Sequence, residues 1–283
     1  MNFSTKKFLI ATLATATFFT SQTLVSAENV SETEKVIDSQ VEQSKNIVAG
    51  ISDKKDPAFS FEARYFNPHF DANVKSNKIS YNGGSVGLKN DLGFGNDKAP
   101  EFILRYKHLT LDYIRLTGDG DKVYSGTNVL TFGGTRMRGQ LHSRNELHYI
   151  KLNVTNNIKS VGGNGFDWSY GITGMFWKGK VSGTNTAGRH EERSEDYGVP
   201  VPTLGVGAHA RLWDNLNAFA HISGLPLGGY GHFYDFEVGL RFKPTEHFGI
   251  TAGFRRIHAN IKHKDENGNF TMNGPYFGLR ADF

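Results

Sequence analysis

The chain has 283 residues, with 32 Lys and Arg against 28 Asp and Glu, and no cysteine. Without Cys there is neither a disulfide framework nor the lipidated Cys of a bacterial lipoprotein. The near-balanced charge argues against a nucleic-acid partner, which would call for a concentrated basic patch.

The N-terminus reads as an export signal. Lys6 and Lys7 precede an uncharged, mostly apolar run to Leu24, and Val25-Ser26-Ala27 supplies compact residues for cleavage after Ala27. The competing reading is an uncleaved anchor helix. Setting aside Lys6 and Lys7 leaves 30 basic residues against 28 acidic ones. Beyond the signal no apolar run approaches the roughly 18–20 residues of a transmembrane helix, and the mean hydropathy is −0.43. The mature chain is therefore either soluble or enters a membrane as strands, where only alternate residues need be apolar.

Residues 28–57 form a polar extension without aromatics. Ser31 and Glu34 fit a capping box, and Ile37, Val41, Val48 and Ile51 fall roughly on one helical face. A short amphipathic helix and a disordered linker both remain open there.

From residue 58 onward, short alternating runs are separated by Gly, Asn, Asp and Pro clusters, which are strand and turn signals. In 58–67, Phe59, Phe61, Ala63 and Tyr65 alternate with Ser60, Glu62 and Arg64. Phe102, Leu104 and Tyr106 alternate with Arg105 in 101–107, and Trp168, Tyr170, Ile172 and Phe176 with Ser169 and Thr173 in 166–178. Leu204, Val206, Ala208, Ala210 and Leu212 alternate with His209 and Arg211. Phe236, Val238, Leu240 and Phe242 alternate with Asp235, Glu237 and Arg241. Phe248, Ile250, Ala252 and Phe254 alternate with Thr251 and Arg255, and Phe277, Leu279, Ala281 and Phe283 with Arg280 and Asp282. Period-two alternation puts each set on one face of a sheet. A sandwich would alternate too. Here the polar set is rich in Gly and in single charges of both signs, which suits a barrel lumen.

The connections add a second argument. Those at 107–108, 214–215 and 243–246 are short; those at 117–145, 179–200, 224–231 and 259–269 are long. Alternating short and long connections are the habit of outer-membrane barrels. Eleven candidate strands emerge: 59–67, 78–89, 101–107, 109–117, 146–155, 166–178, 201–213, 215–224, 232–243, 247–260 and 270–283. Single-chain bacterial barrels have an even number, so one of the first two is surplus. The expectation is an all-β, antiparallel, up-and-down transmembrane barrel of about ten strands, within eight to twelve.

Several segments carry a family resemblance: 88–94 (LKNDLGF), 100–102 (PEF), 108–113 (HLTLDY), 201–205 (VPTLG), 230–235 (YGHFYD) and 274–279 (GPYFGL). On these the chain resembles the bacterial outer-membrane-protein β-barrel superfamily of OmpW-type and OmpA-type barrels, a poorly characterised branch in particular, over about 59–283. The resemblance implies the fold, residence in the outer membrane and contact with its lipids. It implies no activity, since such barrels serve many roles. It also implies that Tyr276, Phe277, Leu279, Ala281 and the terminal Phe283 form the signal read by the barrel-assembly machinery.

The candidate site is a lumen charge network: Glu62, Arg64, Arg105, His209, Arg211, Asp235, Glu237, Arg241, Arg255, Arg280 and Asp282. It either lines a narrow pore for small solutes or fills the barrel with ion pairs. Ser/His chemistry has only loose candidates in His209, His221 and Ser223, with no fixed-spacing motif, so a lipid-modifying hydrolase is the weaker alternative and no enzyme is expected. The eleven His residues form no H-E-x-x-H pattern. Residues 265–269 (DENGN) read as a hairpin turn and not a calcium loop. The Gly83-Gly84, Gly162-Gly163 and Gly228-Gly229 pairs lack a strand-then-helix setting for phosphate. No metal and no cofactor are therefore expected. The polar segment 182–196 reads as a solvated outer loop, with an adhesin-type surface as its functional alternative.

Overall fold

A computed structural model of the chain describes residues 58–94, 99–159, 164–263 and 266–283. The expected signal peptide with its Ala27 cleavage point, and the extension 28–57, lie outside the described residues.

Ten antiparallel strands close on themselves. In ring order they are β1 (Phe59–Phe66), β5 (Ala99–Tyr106), β6 (Leu109–Tyr124), β8 (Thr135–Lys159), β9 (Gly165–Asn185), β10 (His190–Trp213), β11 (Leu216–Pro226), β12 (Gly231–Phe242), β13 (Phe248–His263) and β14 (Glu266–Asp282). The closure is β14 on β1, in register from Ser60 opposite Asp282 to Phe66 opposite Tyr276. It is pinned at the terminus, where Phe59 and Phe283 exchange backbone hydrogen bonds of 3.2 and 2.8 Å. Closure leaves no unpaired edge, which is what a sheet in lipid requires.

Four short strands lie off the ring: β2 (His69–Lys75), β3 (Ser80–Tyr81), β4 (Val86–Gly87) and β7 (Leu130–Phe132). β2 continues β1 past a break at Asn67-Pro68 and stays paired to β14. The surplus candidate is thus 78–89. It forms β3, β4 and turns instead of a wall strand, because after β2 the chain folds back toward the barrel mouth, where Val86 pairs with Val74.

The strand runs reach further than the sequence suggests. Most of 117–145, 179–200 and 259–269, expected as loops, is strand: β6 runs to Tyr124, β9 to Asn185 and β13 to His263. The segment 182–196 is accordingly the tip of a β-hairpin, with Thr184 opposite His190. All these tall ends rise on the side opposite Phe283, while the turns at 107–108 and 214–215 lie on its side.

Along the long strands β8, β9 and β13 the polarity of the two faces inverts at one level. On β8 the inward side chains Leu147 and Tyr149 give way to Lys151 and Asn153, while outward Glu146 and His148 give way to Ile150 and Leu152. On β13 the change lies between outward Phe254 and Arg256, and between inward Arg255 and Ile257. On β9 it lies between Phe176 and Lys178 outside, and between Thr173 and Met175 inside. Below this level the barrel is apolar outside and polar inside. Phe166, Trp168, Tyr170, Ile172 and Phe176 of β9 are between 43% and 63% exposed. That run spans about 33 Å at 3.3 Å per residue, or about 25 Å of height at a tilt near 40°, the expected apolar band of a membrane barrel. Such a contiguous apolar surface is far larger than water-soluble monomers carry. The lower half therefore spans a membrane.

Above the level the arrangement is that of a soluble protein. Phe66, Phe70, Leu116, Leu130, Phe132, Met137, Trp177 and Met272 form an apolar core inside the rising walls. The return segment after β3 adds Val86, Leu88, Leu92 and Phe94, each at most 3% exposed. Ser143 and Tyr124 donate hydrogen bonds to the carbonyl oxygens of Leu92 and Asp91. The segment lies so close to β6 that a Cβ on Gly120 would sit 2.5 Å from the Gly93 Cα and from the Leu92 carbonyl oxygen. Gly93 itself is left-handed at φ +66°, a conformation that favours glycine.

Candidate functional site

The polar lower lumen is the candidate site, and it is built by pleat alternation. Each outward Phe, Leu or Tyr of the belt forces its neighbours inward, and those neighbours carry the charges.

Arg255 of β13 is the hub, with its side chain 1% exposed. Its Nε and Nη2 donate to the two oxygens of Asp235 at 3.0 and 2.8 Å, a bidentate pair. Nη2 also lies 2.7 Å from Asp112, and Nη1 meets Glu101. Lys151 reaches Asp235 at 2.7 Å and Ser223 at 2.7 Å, and the Tyr149 hydroxyl donates to Asp235 at 2.8 Å. A second group centres on Arg64. It contacts Glu62 at 2.6 Å, Glu237 at 2.8 Å and Glu101 at 3.3 Å, and its guanidinium lies 4.4 Å from the Tyr276 ring centre. Arg105 binds the other oxygen of Glu62 at 2.8 Å, and Tyr276 donates to Glu237 at 2.7 Å. A third cluster lies toward the chain terminus, where Asp282 takes Arg280 at 2.6 Å and Lys243 at 2.5 Å. Glu101 joins the first two groups, and the Lys151–Asp235 and Arg255–Asp112 pairs tie walls four strand positions apart across the barrel.

Of the residues expected in the lumen, Glu62, Arg64, Asp235, Arg255, Arg280 and Asp282 are buried there, and Arg105, Glu237 and Arg241 are half-buried beside them. Arg241 stacks over the Phe219 ring at 5.1 Å. Two expectations need correction. Arg211 is half exposed and pairs with Asp214 at 3.0 Å, because it sits at the strand end where β10 turns into β11. His209 packs its ring against Gly165 instead of joining the ion pairs. Tyr276 also departs from its expected set. It points inward at 4% exposure and hydrogen-bonds Glu237, while Phe277, Leu279 and Phe283 face outward.

Glu101, Asp112, Tyr149, Lys151 and Lys243 belong to the network beyond the expected set. The signal for two of them was present: Leu111 and Tyr113 flank Asp112, and Ile150 and Leu152 flank Lys151, the same alternation used elsewhere.

Of the loose hydrolase candidates, His221 and Ser223 both stand beside Gly205, while His209 lies apart against Gly165. His221 contacts Ser169 at 3.3 Å, and Ser223 accepts from Lys151. Among the described residues no group of three or more His, Cys, Asp or Glu has metal-site geometry.

Above the membrane, β9 and β10 carry paired charges on their outer faces. Lys180 donates to Glu192 at 2.7 Å, and this hydrogen bond holds the Glu192 carboxyl below its ordinary range. Burial raises the Tyr197 hydroxyl, although it bonds Ser76 at 2.9 Å.

Comparison with known proteins agrees with this architecture. The outer membrane protease OmpT of Escherichia coli superposes with a TM-score of 0.50 at 8% identity, covering 80% of this chain and 97% of that one. The chain has the fold of a bacterial outer-membrane β-barrel. At that identity the likeness concerns the fold alone, and the protease activity belongs to OmpT. The translocator domain of the autotransporter NalP from Neisseria meningitidis matches at a TM-score of 0.37 and 11% identity, over 89% of this chain and 98% of its own. Ail of Yersinia pestis matches at 0.32 and 12%, over 81% of this chain and all of its own. No family model and no curated protein matches the chain by sequence.

Proposed function

We propose that this protein is a sealed, non-enzymatic structural barrel of the Gram-negative outer membrane. One observation carries the reading: the lumen is filled twice. An ionic layer centred on Arg255 and Arg64 crosses the membrane half, and an apolar plug containing Leu88, Leu92 and Phe94 fills the mouth. Side chains that bridge opposite walls leave the space that a ten-stranded barrel offers largely occupied, which supports a filled barrel over a narrow passive pore. The reading requires outer-membrane lipids as solvent and the assembly machinery, through 276–283, for insertion. The OmpW/OmpA-type kinship is kept here at the level of the barrel class.

Planar-bilayer recording tests it. The purified protein is expected to be electrically silent, and reproducible open steps would overturn the sealed reading.

A second reading rests on the raised β9–β10 wall. Its outward Lys180–Glu192 pair, backed on the inner face by Arg193–Glu191, stands clear of the membrane as a rigid surface for an adhesin-type contact. Shortening the hairpin between 182 and 194 would abolish cell or matrix binding on this reading; retained binding argues against it.

A further inference from the structure

At the level where the walls invert, β12 and β13 carry an unusual group on the lipid side. The ring of His258 lies 5.2 Å from that of His232 and 5.0 Å from that of Tyr234, and the Arg256 guanidinium stands 5.9 Å from the Tyr234 ring centre. His258 is fixed from the neighbouring β14 by Thr271 at 2.8 Å. Among the described residues no carboxylate lies within ion-pair distance of Arg256, although nearly every other Arg of the membrane half is paired. Phe236 and Phe254 of the apolar belt lie directly beneath.

Two recesses in the outer wall flank this group. On one side an open groove of about 470 Å³ runs over β10, β11 and β12, lined by Leu204, Val206, Ile222 and Pro226, and ends at His232 and Tyr234. On the other a notch of about 310 Å³ lies at the break between β1 and β2, where Phe254 and Pro275 meet His69 and Asn273. The groove centres on β11 and the notch on β14, three strand spacings apart, or about 14 Å at 4.8 Å per strand.

We propose that this face is a binding site for one phosphate-bearing, multiply acylated lipid of the outer leaflet. Its phosphate sits on Arg256, beside His258 and below the stacked His258–His232 rings. An acyl chain lies in the Leu204–Ile222 groove, and the headgroup spans toward Asn273 and His69. Three features support this occupant. An unpaired guanidinium at an apolar boundary calls for an anion, and Arg recognises phosphate through its planar fork. The groove beneath is apolar and lies within the acyl layer. The two recesses stand about 14 Å apart, so a ligand reaching both needs a headgroup broader than a single phosphate.

The test uses the full-length protein folded in detergent micelles, with bound lipid measured by native mass spectrometry. The probes are diphosphorylated lipid A, its dephosphorylated form and phosphatidylglycerol. Lipid A is expected to bind at least tenfold more tightly than either of the others. Arg256→Ala should weaken it at least tenfold, and Val206→Trp, which fills the groove, should weaken it severalfold. Arg144→Ala, on the outer wall elsewhere, should leave it unchanged. Each variant's fold is checked by heat-modifiable gel migration, since all three positions are on the outer surface. Equal binding of the dephosphorylated form, equal binding of phosphatidylglycerol, or an Arg256→Ala affinity within twofold of the parent would overturn the proposal. None of these results depends on whether the lumen conducts.

Discussion

Replacing Arg255 by Met removes the hub of the lumen and leaves the walls unchanged in shape. Three carboxylates touch this guanidinium: Asp235, Asp112 and Glu101. Each contact at about 4 Å between charge centres carries about 4 kcal/mol at an effective dielectric of 20. Most of that gross attraction offsets the cost of burying the charges. The loss therefore comes from what the substitution strands. Asp235 keeps Lys151 and Glu101 keeps Arg64, but Asp112 has Arg255 as its ion-pair partner among the described residues. Leaving a buried charge without its partner costs about 3–5 kcal/mol, and that is the expected loss. Urea unfolding in micelles, followed by the fluorescence of the three tryptophans, would measure it. Arg211→Met, at an exposed turn pair, should cost less than about 1 kcal/mol. Adding Asp112→Asn to Arg255→Met should recover stability, giving a coupling of about 0.5–3 kcal/mol. A loss below about 1 kcal/mol for Arg255→Met, or no coupling to Asp112, would refute a load carried by this network.

Other expectations follow from the same geometry. Val238→Arg, on the lipid face, should cost about 2–4 kcal/mol in the same unfolding assay, whereas Val123→Arg, above the membrane at 70% exposure, should stay within about 0.5 kcal/mol; similar costs would remove the membrane level drawn here. Gly120→Val should dislodge the mouth segment, costing about 1–3 kcal/mol, and speed proteolysis between 79 and 94; unchanged protease resistance would show that the close approach to Gly93 is dispensable. Removing 80–92 should leave bilayers silent, because the ionic layer below is intact. Conductance appearing on that deletion alone would show that the apolar plug is the only seal.

The lower half of the barrel was legible in the sequence because it obeys one rule, apolar outward and charged inward, from Phe59–Arg64 to Phe277–Asp282. Even the surplus strand was placed among the first two candidates, and it is 78–89. The upper half was not legible, for a physical reason. Above the membrane the outward residues of β6, β8, β9 and β10 are Asp119, Arg144, Lys180 and Glu192, which look like loop residues when the inward Leu141, Trp177 and Val181 are not weighed with them. A polar outward face with an apolar inward one is also a strand pattern, with the phase reversed. The network was half read for a related reason: Glu101 opens its strand and Tyr276 precedes the aromatic series, so neither stands inside an evident alternation.

That phase reversal locates the membrane surface without reference to any lipid. The strand register does not slip between Tyr149 and Lys151 of β8, or between Arg255 and Ile257 of β13. The same pleat therefore passes from a charged interior to an apolar one within a single step on both walls. An interior charge is tolerated where the outside is hydrocarbon because the alternation leaves no other place for polar side chains, and there it must pair. Once the outside is water, the charges can face it, and the interior becomes free to pack as an ordinary core. The groups standing at the changeover, Tyr234, Arg256 and His258 among them, are the side chains that meet both environments. A ligand that is itself half acyl chain and half phosphate would have its natural seat at that level of the wall.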